Sequence, residues 1–149
     1  MKRKIKYIVV HCTASRQTWS VDALLKEFTN KGWHYPGYHW IVEANGKATQ
    51  LMTEDLPSNG VKGYNHESIN VAYMGGISRS GNPIDNRTPE QKASLRKLLT
   101  ELKQRYPDAK ILGHRDISPD LNHNGKVDIW ERIKECPCFD AIPEYADIK

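Results

Sequence analysis

Apolar residues follow two different periods along this chain, and each change of period marks a structural element. The continuous run Tyr7-Ile8-Val9-Val10 inside Lys4 to Val10 predicts a strand buried on both faces, hence central in its sheet, and it delivers His11 at its end. After the polar loop Thr13 to Ser20, apolar positions recur at Val21, Leu24, Leu25 and Phe28, which predicts a helix capped by Ser20 that runs through Lys31 and stops at Gly32. Tyr38 to Glu43 alternates and is β-rich, and the turn Ala44-Asn45-Gly46-Lys47 leads into a partner strand, Ala48 to Met52. Asp55 to Glu67 reads as a surface loop and Ser68 to Met74 as a further strand. Thr88-Pro89-Glu90-Gln91 opens a helix expected to reach about Arg105, with Leu95, Leu98, Leu99 and Leu102 as its buried stripe. Tyr106-Pro107-Asp108 ends that helix before a short strand, Lys110 to Leu112. The mixture predicts an α/β (α+β) fold, one sheet with helices packed on it.

A chain of 149 residues is long enough for one ordinary core and too short for two, so a single domain spanning 1–149 is expected. The apolar share of 38% is that of a globular protein, and no stretch approaches the roughly 20 apolar residues of a membrane helix. The basic start Met1 to Lys6 is followed by too short an apolar run for a secretory signal. The net charge of +4 suits an anionic surface, cell wall or nucleic acid, without choosing between them.

The chemistry concentrates at three points. His11 ends the first strand, His114 lies in Leu112-Gly113-His114-Arg115-Asp116, and Cys136 lies in Lys134-Glu135-Cys136-Pro137-Cys138. Two imidazoles and one thiolate can supply three ligands to a metal whose fourth position stays open to water, the pattern of catalytic zinc. A metal-dependent hydrolase is therefore the leading reading. Each histidine taken singly reads more readily as a satisfied core residue, and Cys138 is a rival to Cys136 as ligand. Three cysteines cannot all pair, and Cys136 and Cys138 are too close in the chain for an ordinary disulfide. Cys12 reads as a small buried hydrophobe; a thiol hydrolase built on Cys12 and His11 is disfavoured, because strand neighbours face opposite sides. His39 should point away from Tyr38 and serve packing or support a ligand from behind, and Trp19, Trp33, Trp40 and Trp130 read as packing residues.

A second metal pattern is self-contained. Asp120 to Glu131 matches the twelve-residue calcium loop, with Asp120, Asn122, Asn124, the Lys126 carbonyl, Asp128 and Glu131 as ligands and Gly125 at the sharp turn. The competing reading is a calcium-free Asx-rich turn capping a helix from Val127 to Cys136.

The order and spacing of several further pieces resemble one family over nearly the whole chain. They are Val10-His11-Cys12-Thr13-Ala14, Gly32-Trp33, Gly37-Tyr38-His39-Trp40-Ile41, Lys62-Gly63-Tyr64-Asn65-His66-Glu67-Ser68-Ile69, Gly75-Gly76-Ile77, Thr88-Pro89 and Cys136-Pro137-Cys138-Phe139-Asp140. The chain thus resembles the zinc-dependent N-acetylmuramoyl-L-alanine amidases of the phage lysozyme type, within the superfamily that includes the peptidoglycan recognition proteins. The resemblance implies a mixed central sheet flanked by helices, with zinc (Zn2+) at the floor of a surface groove. It places the zinc ligands on His11, His114 and Cys136, the catalytic tyrosine on Tyr38 and the catalytic lysine on Lys134. Asp140 is a weaker rival ligand, since some relatives outside the phage type use an aspartate in this region. The implied substrate is bacterial peptidoglycan or its muropeptides, cut between N-acetylmuramic acid and L-alanine. His66, in Tyr64-Asn65-His66, has two open readings, a substrate contact lining the groove and a solvated surface group. Neither a nucleic acid nor a membrane partner is implied, and a monomer is expected. The segment from Asp116 to Ile133, which holds the candidate Ca2+ loop, departs from the shortest phage members. Other classes within reach are a non-catalytic wall-binding module, a cytoplasmic muropeptide-recycling amidase and a polymerase-binding protein. A phage or prophage endolysin made in the cytoplasm and released to the wall accounts for the missing signal.

Overall fold

The computed structural model describes residues 3–61, 63–117 and 136–149. In chain order the elements are β1 (Tyr7–Cys12), α1 (Val21–Asn30), β2 (Trp40–Val42), β3 (Ala48–Gln50), β4 (Ser68–Tyr73), α2 (Pro89–Arg105), β5 (Lys110–Gly113) and α3 (Ala141–Glu144). Among the described residues, five strands form one sheet in the order β3-β2-β4-β1-β5. β1 is parallel to both neighbours, β2 is parallel to β4, and only the β2–β3 hairpin is antiparallel. This is a mixed sheet in a single α/β domain, with the fully buried apolar run Ile8 to Val10 in an inner strand.

The local signals act as elementary chemistry requires. Ser20 accepts a hydrogen bond from the Ala23 amide and caps α1. Thr88 and Gln91 close a reciprocal capping box on α2, with Pro89 where a missing N–H does no harm. Strand ends differ from expectation by one to three residues, most clearly in β1 and β2. β1 extends to Cys12, because its pairing with β4 continues through His11↔Ala72 and Cys12↔Tyr73. β2 is limited to Trp40–Val42, although the His39 amide still donates to the Asn70 carbonyl and its carbonyl accepts from Leu51.

Alternate residues of the same strands face two different environments. Ile8, Val10 and Cys12 of β1, with Ile69, Val71 and Tyr73 of β4, pack against Leu95, Leu98, Leu99 and Leu102 of α2. On the other side Ile41, Ala72 and Met74 pack beneath Leu24 and Phe28 of α1, and Val9 packs with Val61 and Leu112. His11 and Asn70 belong by alternation to this second side.

Candidate metal centre

Three chain segments meet at the C-terminal end of β1. β1 carries His11; β5 runs directly into a 3-10 turn, His114–Ile117, that presents His114; and the segment before α3 carries Cys136. The ligand atoms that His11, His114 and Cys136 offer all lie within 4.8 Å of one another. The two imidazole rings are 4.9 Å apart, nearly perpendicular. His11 is buried at 1% exposure, while His114 and Cys136 are half-buried, so the trio is partly open to solvent. Two nitrogens and one sulfur at this spacing fit a tetrahedral ion of zinc type with one position left for water or substrate.

The segments that carry these three side chains are held from behind. The His11 Nε2 is 2.8 Å from the Asn70 Oδ1, a contact that orients the ring. The Gly113 amide donates to the Asp116 carboxylate at 2.8 Å, which shapes the turn that carries His114. Gly113 is needed on steric grounds, since a Cβ there would lie 2.6 Å from the Pro137 ring. Cys136 accepts a hydrogen bond at its sulfur from the Cys12 amide, 3.1 Å away, while its carbonyl accepts from the Arg115 amide at 2.8 Å. The Arg115 guanidinium pairs with Asp140, and the Tyr73 hydroxyl donates to the Pro137 carbonyl at 2.6 Å, so both sides of the cysteine are tied to the sheet.

Tyr38 lies against the trio, its ring 5.1 Å from that of His11 and its hydroxyl donating to the Cys12 carbonyl at 3.3 Å. Burial of the hydroxyl, reinforced by the nearby Cys136, holds the phenol protonated far above its usual range. His39, adjacent in sequence, has a different task. It is fully buried, its Nδ1 accepting from the Asn70 amide at 3.0 Å and its Nε2 lying 2.7 Å from the Leu56 carbonyl. Burial lowers its pKa to about 4, so it is neutral at physiological pH.

The remaining candidates fall elsewhere. Cys138 turns to the α2 side, its sulfur 4.0 Å from that of the buried Cys12. None of the three cysteines is in a disulfide. Asp140 faces Arg115, and His66 sits exposed on the 3-10 turn Asn65–Glu67. Trp40 donates to Glu54 and Trp33 stacks on Phe28. Lys134, Trp130 and the calcium-like positions Asp120, Asn122, Asn124, Lys126, Asp128 and Glu131 lie outside the described residues. Sequence reasoning passed over Asn70 and Arg115. Asn70 had a visible signal, an amide within the otherwise apolar run Ile69 to Met74.

Residues 1–138 match the sequence profile of the N-acetylmuramoyl-L-alanine amidase family. The chain belongs to this family. An endolysin of Klebsiella phage KP32 is 35% identical over 93% of this chain and 84% of its own length. The endolysin of Escherichia phage T7 is 34% identical over 89% of the chain and 80% of its own length. The amidase fold is likewise shared with the Ph2119 endolysin from Thermus scotoductus MAT2119 bacteriophage Ph2119, at a TM-score of 0.74 and 22% identity, over 99% of this chain and 86% of that one. In this amidase the nitrogen and sulfur donors of His11, His114 and Cys136 converge beside Tyr38.

Proposed function

We propose that this amidase is a zinc-dependent endolysin that hydrolyses the amide between N-acetylmuramic acid and L-alanine in bacterial peptidoglycan. The observation that carries the reading is the convergence of His11, His114 and Cys136, from three distant parts of the sequence, within 4.8 Å. The donor set fits zinc, since two imidazoles and a thiolate leave an open coordination position, and His11 and Cys136 each have an outer contact that orients them. Bound by these residues, zinc would supply Lewis acidity to the scissile carbonyl and lower the pKa of water toward neutrality.

The protein's own groups do the rest. Tyr38, kept protonated by burial, can orient the attacking water and move a proton through its hydroxyl. Lys134 is assigned the developing oxyanion, which a cation stabilises most in the transition state. His66, exposed on its turn, is assigned to contact with substrate along the groove. The candidate calcium loop between Asp120 and Glu131 would position Lys134 from the same segment.

Mass spectrometry of purified sacculi incubated with the protein tests this reading, with a zinc-selective chelator and His114→Ala as controls. Free stem peptides with new L-alanine amines, lost in both controls, are expected. Wall that is bound but uncut would leave a recognition module, and cut glycan strands would overturn the bond assignment. Cleavage of soluble muropeptides without cleavage of sacculi would favour a recycling enzyme over an endolysin.

A further inference from the structure

Asn70 is the one primary amide in its strand. It is fully buried in β4, between Ile69 and Val71, and it lies on the same side of the sheet as His11. A buried primary amide is tolerated only where its donors and acceptor are matched, and here the matching runs in one direction. The Asn70 Nδ2 is 2.7 Å from the Ser58 Oγ, and the Ser58 Oγ is 3.2 Å from the Gly37 carbonyl oxygen. A carbonyl only accepts, so the single hydroxyl proton of Ser58 points to Gly37 and Ser58 must accept from Asn70. That places the Asn70 NH2 toward Ser58 and its Oδ1 toward His11. An amide oxygen has no proton to give, so the His11 Nε2, 2.8 Å away, must carry one. The lone pair of the ring then resides on Nδ1.

Two further observations show that the amide is built into the fold. A Cβ at position 60 would lie 2.3 to 2.5 Å from the Asn70 side-chain atoms, so Gly60 leaves open the volume that the amide fills. The Asn70 backbone is fixed on the same edge by His39, whose amide donates to the Asn70 carbonyl at 2.8 Å and whose Nδ1 accepts from the Asn70 amide at 3.0 Å.

We infer that Asn70, oriented by Ser58 and housed by Gly60, is a positioning residue that locks His11 in the Nε2–H tautomer and so presents Nδ1 to the metal. The tautomer lock stands on the hydrogen-bond directions, and its consequence for zinc rests on the metal reading above. Outer partners of ligating histidines typically control metal affinity by 10–100-fold.

The test uses the full chain labelled with 15N-histidine. Two-dimensional NMR of the metal-free protein reads the His11 tautomer, and competition with a chromophoric chelator reads zinc affinity. The wild type is expected to show Nε2–H. Asn70→Ala, checked for folding by circular dichroism, is expected to give mixed tautomers and to bind zinc roughly 10–100-fold more weakly. Asn70→Asp retains the acceptor and is expected to restore the wild-type tautomer. Should Asn70→Ala fail to fold, Ser58→Ala releases the amide to rotate and is expected to loosen the tautomer in the same sense. Nδ1–H in the wild type, or a folded Asn70→Ala with unchanged tautomer or unchanged zinc affinity, would overturn the inference. A wild type that takes up no zinc yet shows the Nε2–H lock, lost in Asn70→Ala, would overturn the metal reading and leave the lock standing.

Discussion

The two sides of the sheet are made from the same strands and serve different ends. Toward α2 the alternating residues of β1 and β4 are Ile8, Val10, Ile69, Val71 and Tyr73, and they meet a leucine stripe that buries nearly all of its surface. Toward α1 the partners include His11 and Asn70, and polar directionality replaces shape as the organising principle. One side is dominated by apolar packing, where volume-conserving exchanges are tolerated best. The other requires particular donors at particular atoms. An inner strand can serve both because its side-chain period is two, so stability and site geometry are assigned to alternate positions and a change in one need not disturb the other.

The segment that brings in Cys136 crosses between these sides, and its anchoring draws on the α2 side. The Arg87 guanidinium lies 3.4 Å from the centre of the Phe139 ring and is paired with both Asp85 and Glu144. The Tyr73 hydroxyl, from the packed face, holds the Pro137 carbonyl. The cysteine of the site is therefore presented by the structural core, whereas His11 is presented by a polar chain within the sheet.

The separation can be broken or sharpened in four ways, from the largest expected effect to the smallest. Leu99→Ala, fully buried against the sheet, should destabilise the fold by about 2–5 kcal/mol while zinc uptake and activity per folded molecule stay unchanged; calorimetry alongside a wall-clearing assay checks this, and a proportionate loss of zinc binding would show that the two sides are coupled. Acidification probes the other side. The His39 pKa is lowered from an ordinary 6.5 to about 4 by burial, so between those values the unfolded chain binds a proton that the folded protein refuses. The His39 contribution to stability should accordingly fall as pH drops from about 6.5 toward 4, by about 3 kcal/mol, and denaturant titrations should show a steeper slope over this range for wild type than for His39→Gln.

Tyr38→Phe removes the hydroxyl beside the trio and is expected to lower kcat roughly 100-fold with little change in zinc affinity; a large loss of zinc would assign the residue to the scaffold instead. Cys12→Ser, on the packed face with its sulfur against Cys138, should leave activity within about twofold and cost about 1 kcal/mol of stability. Complete loss of activity there would revive a thiol mechanism.

Much of this was legible from pattern alone. The apolar run Tyr7 to Val10 led to a central strand because burial on both faces leaves no polar positions, and Thr88-Pro89-Glu90-Gln91 marked a helix start because the capping groups are local in sequence. The hairpin between β2 and β3 was equally visible, since a turn and its flanking strands lie within a dozen residues. His11, His114 and Cys136 were identifiable by chemical type and by family resemblance. What no local pattern holds is their distance. The parallel pairing of β1 with β5 brings His114 beside His11, and contacts with Cys12, Arg115 and Tyr73 hold the Cys136 segment to both. Asn70 shows the same division: its type can be read at one position in an apolar strand, but the direction of its hydrogen bonds depends on Ser58, Gly37 and Gly60, which reach it through tertiary packing. Periodicity and capping are properties of neighbours in the chain and are determined by sequence directly, whereas ligand convergence and hydrogen-bond direction are properties of neighbours in space and exist only once the sheet has closed.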